Sequence, residues 1–154
     1  MHLFEENIKN LGLNIPELPK ALANYVPYKI VGKTMYISGQ APIQNGELIY
    51  KGKVGSDITV EDGIKAARLC VTNIIAAVKT GLEGDWGKLD SFVKLTGFVN
   101  CQDGFTDQPK IINGASDMLV EIFGDQGRHA RVAVGSNALP LGISVEIDAI
   151  VQLK

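Results

Sequence analysis

Residues 143–153 read ISVEIDAIVQL. Ile143, Val145, Ile147, Ala149 and Val151 alternate with Ser144, Glu146, Asp148 and Ile150. A period of two predicts a half-buried strand, because successive side chains leave a strand on opposite faces. One face meets a core, and the other carries two carboxylates. Upstream, Arg131-Val132-Ala133-Val134 lies in a second strand pattern near 130–135, joined to the last strand by Gly135–Gly142. If that link is a roughly symmetric hairpin, Arg131 falls opposite Glu146, and directly opposed residues share a face. Both would then sit on the face of Ser144 and Asp148. Two readings follow. The guanidinium offers a planar fork that matches a carboxylate, with Glu146 orienting it and holding a water. Alternatively, the two form a surface ion pair that contributes little stability.

Working outward, residues 60–79 predict a helix. Val60, Ile64, Ala67, Val71, Ile74, Ile75 and Val78 trace one apolar stripe. Thr59 and Asp62 make a capping-box-like start, and Gly81 suits the position after the end. Gly63 costs this helix about 1 kcal/mol relative to Ala. A second helix is predicted over about 109–123, with Pro109 in its first turn, Ile111, Ile112, Ala115, Leu119, Ile122 and Phe123 as its stripe, and Gly124 as its stop. Between the helices, 91–100 is strand-like, and Gly97 marks a bulge or a close backbone approach. Before them, 27–40 reads as two short strands turned at Gly32-Lys33, and Asn45-Gly46 marks another turn. Residues 3–11 predict a short helix, after which Pro16 and Pro19 extend the chain. The order is β-β, helix, β, helix, β-β. It predicts one α+β domain over residues 1–154, with 1–20 as an N-terminal arm. The sheet is mixed or mostly antiparallel, with two helices packed on one face.

Bulk properties exclude several classes. The net charge of −2 provides no general attraction for phosphate backbones, so no nucleic-acid partner is expected. No apolar stretch approaches the roughly 18 residues of a membrane span. The N-terminus MHLFEENIKNLG carries two glutamates and no basic, long apolar run, so no secretory leader is expected. Cys70 and Cys101 are far apart and belong to no CxxC or Cys/His cluster, which argues against structural zinc and suits a reducing, cytoplasmic setting. Cys70 lies near the apolar stripe of the first long helix and reads as a core residue, whereas Cys101 opens a loop and is expected nearer the surface. His129 reads as a surface or interface residue on a different face from Arg131. Trp86 reads as packing. No Walker or GxGxxG loop is present.

Two end motifs carry a resemblance. Tyr25 stands thirteen residues before Ser38-Gly39-Gln40, with Pro42 just beyond. At the other end, HARVAVGSNALPLGISVEIDAIV holds Arg131, Leu139-Pro140 and Glu146 in sequence. Together they resemble the Rid/YjgF family over about residues 21–153. The resemblance implies a chorismate-mutase-like α+β fold and a homotrimer with clefts between subunits. It also implies hydrolysis of reactive enamines or imines to keto acids and ammonia, with no metal or organic cofactor. Carried over, Arg131 binds the carboxylate of a small ligand, Glu146 positions or activates water, and Tyr25 and Ser38 line the cleft. Phe105, in the longer loop 100–109, is expected at the cleft mouth. Where the typical family strand carries Ser and often Cys after the Arg, this chain has Val132 and Ala133. That departure motivates an alternative, a non-catalytic module binding or sensing a small keto acid. A third reading, an endoribonuclease or translation inhibitor, asks for an acid/base pair and a basic groove. The chain supplies only His2 and His129 as histidines.

Overall fold

The computed structural model describes residues 1–18 and 23–154. Three helices run over Leu3–Asn10 (α1), Val60–Gly81 (α2) and Gln108–Phe123 (α3). The strands are Tyr28–Val31 (β1), Thr34–Gln40 (β2), Ile43–Gln44 (β3), Glu47–Leu48 (β4), Leu89–Asn100 (β5), Ala130–Ser136 (β6) and Val145–Leu153 (β7). Five strands form one sheet in the order β1-β2-β7-β5-β6, and β3 and β4 make a separate small ladder. All pairs in the large sheet are antiparallel except β5 with β6. The fold is the mixed α+β arrangement that the pattern predicts.

The helix face holds the core. Met35, Ile37, Leu95, Val99, Val145, Ile147 and Val151 come from the sheet, and the stripes of α2 and α3 cover them. Thr59 caps α2 by accepting from the Asp62 amide, as its spacing predicts, while the helix itself runs through Gly81 to a cap at Leu82. The cost of Gly63 has a packing explanation: a Cβ there would stand 2.5 Å from Ile111 Cδ1 of α3. Gly114 answers from the other helix, where a Cβ would meet the Ile64 carbonyl oxygen at 2.7 Å. Two side-chain-free positions let the helices approach closely. Gly97 likewise makes room for Ile112 of α3. The Asn45-Gly46 turn joins β3 to β4, with φ of 52° and 80°.

The arm belongs to this core. Phe4 of α1 stacks edge-on against Phe123 at 4.9 Å, and Asn7 Nδ2 donates to the Ile122 carbonyl at 2.7 Å. Beyond α1, Leu13, Ile15 and Leu18 pack against the core. Pro19, expected to extend the arm, lies outside the described residues. Trp86 is buried beside Phe4 and Phe123, a packing residue as read.

The C-terminal connection differs from the expected hairpin. β6 runs parallel to β5, and β7 sits on the far side of β5, between it and β2. Arg131 therefore lies level with Leu95, while Glu146 lies level with Phe98. The helix α3 supplies the long crossover that a parallel pair requires. The link from β6 to β7 then has to pass the end of β5. Asn100 holds it there, its side-chain amide donating to the Ile143 carbonyl at 3.1 Å and its backbone N–H to the Ser144 carbonyl at 2.8 Å. Lys53 fastens the same link through the Asn137 carbonyl. Ser144, expected on the open face, is buried with its hydroxyl unpartnered among the described residues.

The second face of the sheet carries no helix. Val31 (59 % exposed), Tyr36 (49 %), Val132 (40 %) and Val134 (39 %) stand on it beside Thr96, Asp148 and Glu146. Among the described residues no helix is long and apolar enough to cross a membrane.

Candidate functional site

Glu146 is the charged group that the fold treats most unusually. Its neighbours Val145 and Ile147 point into the core, so alternation sends its carboxylate to the open face. Beside it, the ladder between β2 and β7 shifts register between Ile37 and Gln40. Gly39 lies in that irregularity, and a Cβ there would stand 3.1 Å from Glu146 Cδ. The glycine of the Ser38-Gly39-Gln40 motif thus makes room for the carboxylate. A cavity of ≈ 380 Å³ opens above it. Tyr25, Gln40 and Glu146 are its polar side chains, and Leu18, Ile43, Leu48, Pro140, Leu141 and Ile143 supply apolar wall. Glu146 enters no ion pair among the described residues. Burial, with the like charge of Asp148 second, raises its carboxyl above the ordinary carboxylate range.

Tyr25 borders this cavity and is largely exposed. Ser38 contributes by fastening the segment that carries Tyr25. Its hydroxyl donates to the Val26 carbonyl at 2.6 Å, and its amide donates to the Pro27 carbonyl at 2.9 Å. Ser38 itself faces an adjoining shallow depression with Tyr28 and Tyr36, not the Glu146 cavity.

Arg131 is elsewhere on the chain. It shares the helix side of the sheet with Leu95 and reaches α3, where Nη1 donates to Ser116 Oγ at 3.1 Å and Nη2 to the Pro109 carbonyl at 3.3 Å. His129 converges on the same serine, its Nε2 lying 2.9 Å from Ser116 Oγ. Its Nδ1 is 2.7 Å from the Gly127 carbonyl, which can only accept, so Nδ1 carries the proton. Nε2 then accepts from the serine hydroxyl, and the hydroxyl accepts from Arg131. Burial, opposed by the Gly127 carbonyl and aided by the Arg131 charge, lowers the His129 pKa. The imidazole is neutral at neutral pH. The expected separation of His129 from Arg131 does not occur: the two are two residues apart, and a period of two sends such a pair to the same side. A depression of ≈ 320 Å³ opens beside these residues, lined also by Asp117 and Arg128.

Within one chain, then, Glu146 and Arg131 do not meet. The strand β5 stands between them and their side chains leave on opposite faces. Phe105, expected at the cleft mouth, is instead half-buried against the core, and its carbonyl accepts from Gln108 Nε2 at 2.8 Å. Cys70 is buried in the core as expected, where burial and then the Glu146 charge hold its thiol well above the ordinary range. Cys101, expected nearer the surface, is buried as well, with Gln108 Nε2 3.8 Å from its sulfur. No three His, Cys, Asp or Glu side chains gather into a metal-binding group among the described residues.

Residues 5–151 match the family described as "YjgF/chorismate mutase-like, putative endoribonuclease". The chain belongs to the YjgF family. It is 39 % identical over 149 residues to Protein TCP17 of Trypanosoma cruzi, covering 96 % of this chain and 92 % of that one. Among solved structures, it superposes with a TM-score of 0.93 on Atu1372 of Agrobacterium tumefaciens, a protein of unknown function. That match has 44 % identity over 99 % of this chain and 93 % of the other. A more distant YjgF-like structure is E. coli TdcF with bound serine, at TM-score 0.63 and 27 % identity over 88 % and 93 % of the two chains. Ser116 and Leu141 are site residues that sequence reasoning did not single out, and Gly39 stood out only as the middle of its motif, without a role.

Proposed function

We propose that this YjgF-family chain hydrolyses a small carboxylate-bearing imine or enamine to a 2-keto acid and ammonia, as a homotrimer. The observation that carries the reading is Glu146: a half-buried carboxyl with raised pKa, without an ionic partner among the described residues, at one end of a cavity. A group of this kind takes and returns protons near neutral pH more readily than an ordinary carboxylate does. Glu146 removes a proton from water as the oxygen attacks the imine carbon. Attack on the protonated imine (which an enamine reaches by taking a proton on carbon) gives a carbinolamine; Glu146 returns its proton to the nitrogen and takes up the hydroxyl proton as the C–N bond breaks, so ammonia leaves with the keto acid behind. An imine carbon is already electrophilic, so positioning and proton transfer suffice. Tyr25 borders the reacting group.

Among the described residues the cavity has no cation of its own for a carboxylate, Glu146 being the one charged residue of that set that lines it. Arg131 of the partner subunit fills that role in the proposal. The open sheet face, with Val31, Tyr36, Val132 and Val134 exposed, supports assembly of this kind. The serine bound to TdcF is a small molecule with both an amine and a carboxylate, which fits the same pair of demands.

The test is ammonia release from imines generated in situ from amino acids. Turnover that falls about 100-fold or more in Glu146→Gln sustains the proposal. Purified protein that releases no ammonia above the uncatalysed rate from any such imine overturns it. Val132 and Ala133, in place of the typical Ser and Cys, favour a second reading as a keto-acid-binding module. Saturable calorimetric binding of pyruvate without any imine turnover would select that one.

A further inference from the structure

We infer that the substrate carries a bulky, uncharged apolar side chain, and that Leu18, Ile43, Leu48 and Leu141 form its subsite. The inference rests on the hydrolase reading above and names the substrate class of the same cavity. Glu146 fixes the end where nitrogen and water react. The remaining wall is largely apolar: Ile43 and Leu48 face each other across the β3–β4 ladder, Leu18 arrives from the N-terminal arm, and Leu141 stands on the β6–β7 link. Among the described residues of one chain no second charged side chain lines the space; with Arg131 of the partner subunit taken up by the substrate carboxylate, an acidic substituent would meet Glu146 and a basic one would compete for it. At ≈ 380 Å³ the cavity falls in the range of sites that enclose sizeable ligands. A two- or three-carbon imine leaves most of it unfilled.

Leu141 makes the strongest case. It is 65 % exposed, and its backbone sits at φ 59° and ψ 15°, in the left-handed region. A residue with a Cβ adopts that conformation at a cost, and glycine would not. The chain places Gly142 next to it yet keeps a large apolar side chain at the strained position. Strain and exposure together are uneconomical for a loop that needs only to turn, and they are accounted for by contact with an apolar group at the cavity.

The experiment compares kcat/KM of the assembled protein for imines generated from alanine, leucine and phenylalanine. The expected result is a preference of about 10- to 200-fold for the leucine- or phenylalanine-derived imine over the alanine-derived one. Leu141→Gly and Leu48→Ala should each narrow that ratio by about 10-fold. Leu141→Gly also relieves the backbone, so its folding is not at risk. Equal or better turnover of the alanine-derived imine overturns this inference and leaves the hydrolase reading intact. An unchanged ratio in Leu141→Gly with an altered oligomeric state on size exclusion also overturns it, because the leucine then serves a subunit contact. If no imine is turned over, the hydrolase reading fails separately. The subsite is then judged by calorimetry, where tighter binding of 4-methyl-2-oxopentanoate than of pyruvate supports it and equal binding overturns it.

Discussion

The Glu146 cavity and the Arg131 depression hold opposite charges in opposite circumstances. Glu146 is left without an ionic partner beside an apolar wall, and its proton affinity rises. Arg131 is already engaged, with hydrogen bonds to Ser116 Oγ and the Pro109 carbonyl. The first arrangement makes a carboxyl easier to protonate. The second aims a group whose charge never changes, by fixing its fork against a helix. A strand separates them within one chain, so the two make a single site only if neighbouring copies supply complementary halves.

The largest expected effect falls on the carboxylate. Glu146→Gln should lower kcat about 100- to 10,000-fold. It should also raise stability at neutral pH. The folded pKa lies above the ordinary carboxylate value, so the folded state binds the proton more tightly than the unfolded state does. The charged form therefore weakens the fold above the folded pKa, and that penalty is absent below the ordinary value. Thermal melts should show the Gln variant ahead at neutral pH, with the gap closing in acid. A variant that is both inactive and less stable at neutral pH would break this side of the comparison.

The next test joins the two halves. Arg131→Ala and Glu146→Gln, each nearly inactive alone, should recover activity when their subunits are unfolded together and reassembled. Random mixing leaves about a quarter of the sites with both groups intact if neighbours share them. No recovery would place the two groups in functions that do not meet. Gly39→Ala comes third. The added methyl crowds Glu146 Cδ at 3.1 Å, and the displaced carboxylate should reduce kcat about 10-fold with KM little changed. Ser116→Ala should do the reverse, raising KM about 3- to 10-fold through a less firmly held guanidinium. The smallest effect is on pH dependence at His129. Its folded pKa is depressed, so stability falls as pH drops below the ordinary imidazole value and levels off below the folded one. His129→Gln should flatten that decline in a melting series.

Sequence pattern reached the elements and stopped short of one neighbour relation. The alternation of 143–153 gave the face of every residue from Val145 to Val151, because burial imposes the period. It carried no information about which strand lies alongside. An eight-residue link from Gly135 to Gly142 serves a hairpin or a step across one strand, and only the tertiary role of Asn100 and Lys53 decides between them. Glu146 and Tyr25, which border one cavity, were marked by their motifs; Ser38 was marked as a lining residue and instead fastens the segment that carries Tyr25. Ser116 was not, because it lies mid-helix and meets Arg131 only after the crossover returns the chain to the sheet. Phe105 misled for the opposite reason: a turn-rich segment around an aromatic resembles a rim, and here the aromatic is held against the core.

The strand β7, which follows all the others in sequence, sits in the middle of the sheet. Until residues 145–153 leave the ribosome, β2 and β5 have no common neighbour. The growing chain then holds two unjoined pieces, the β1–β2 hairpin and the β5–α3–β6 crossover, each with an apolar edge awaiting a partner. Closure of the sheet, and with it the seating of Glu146 beside Gly39, consequently waits for β7. A chain cut before residue 146 loses the keystone between its halves, along with the carboxylate at the cavity.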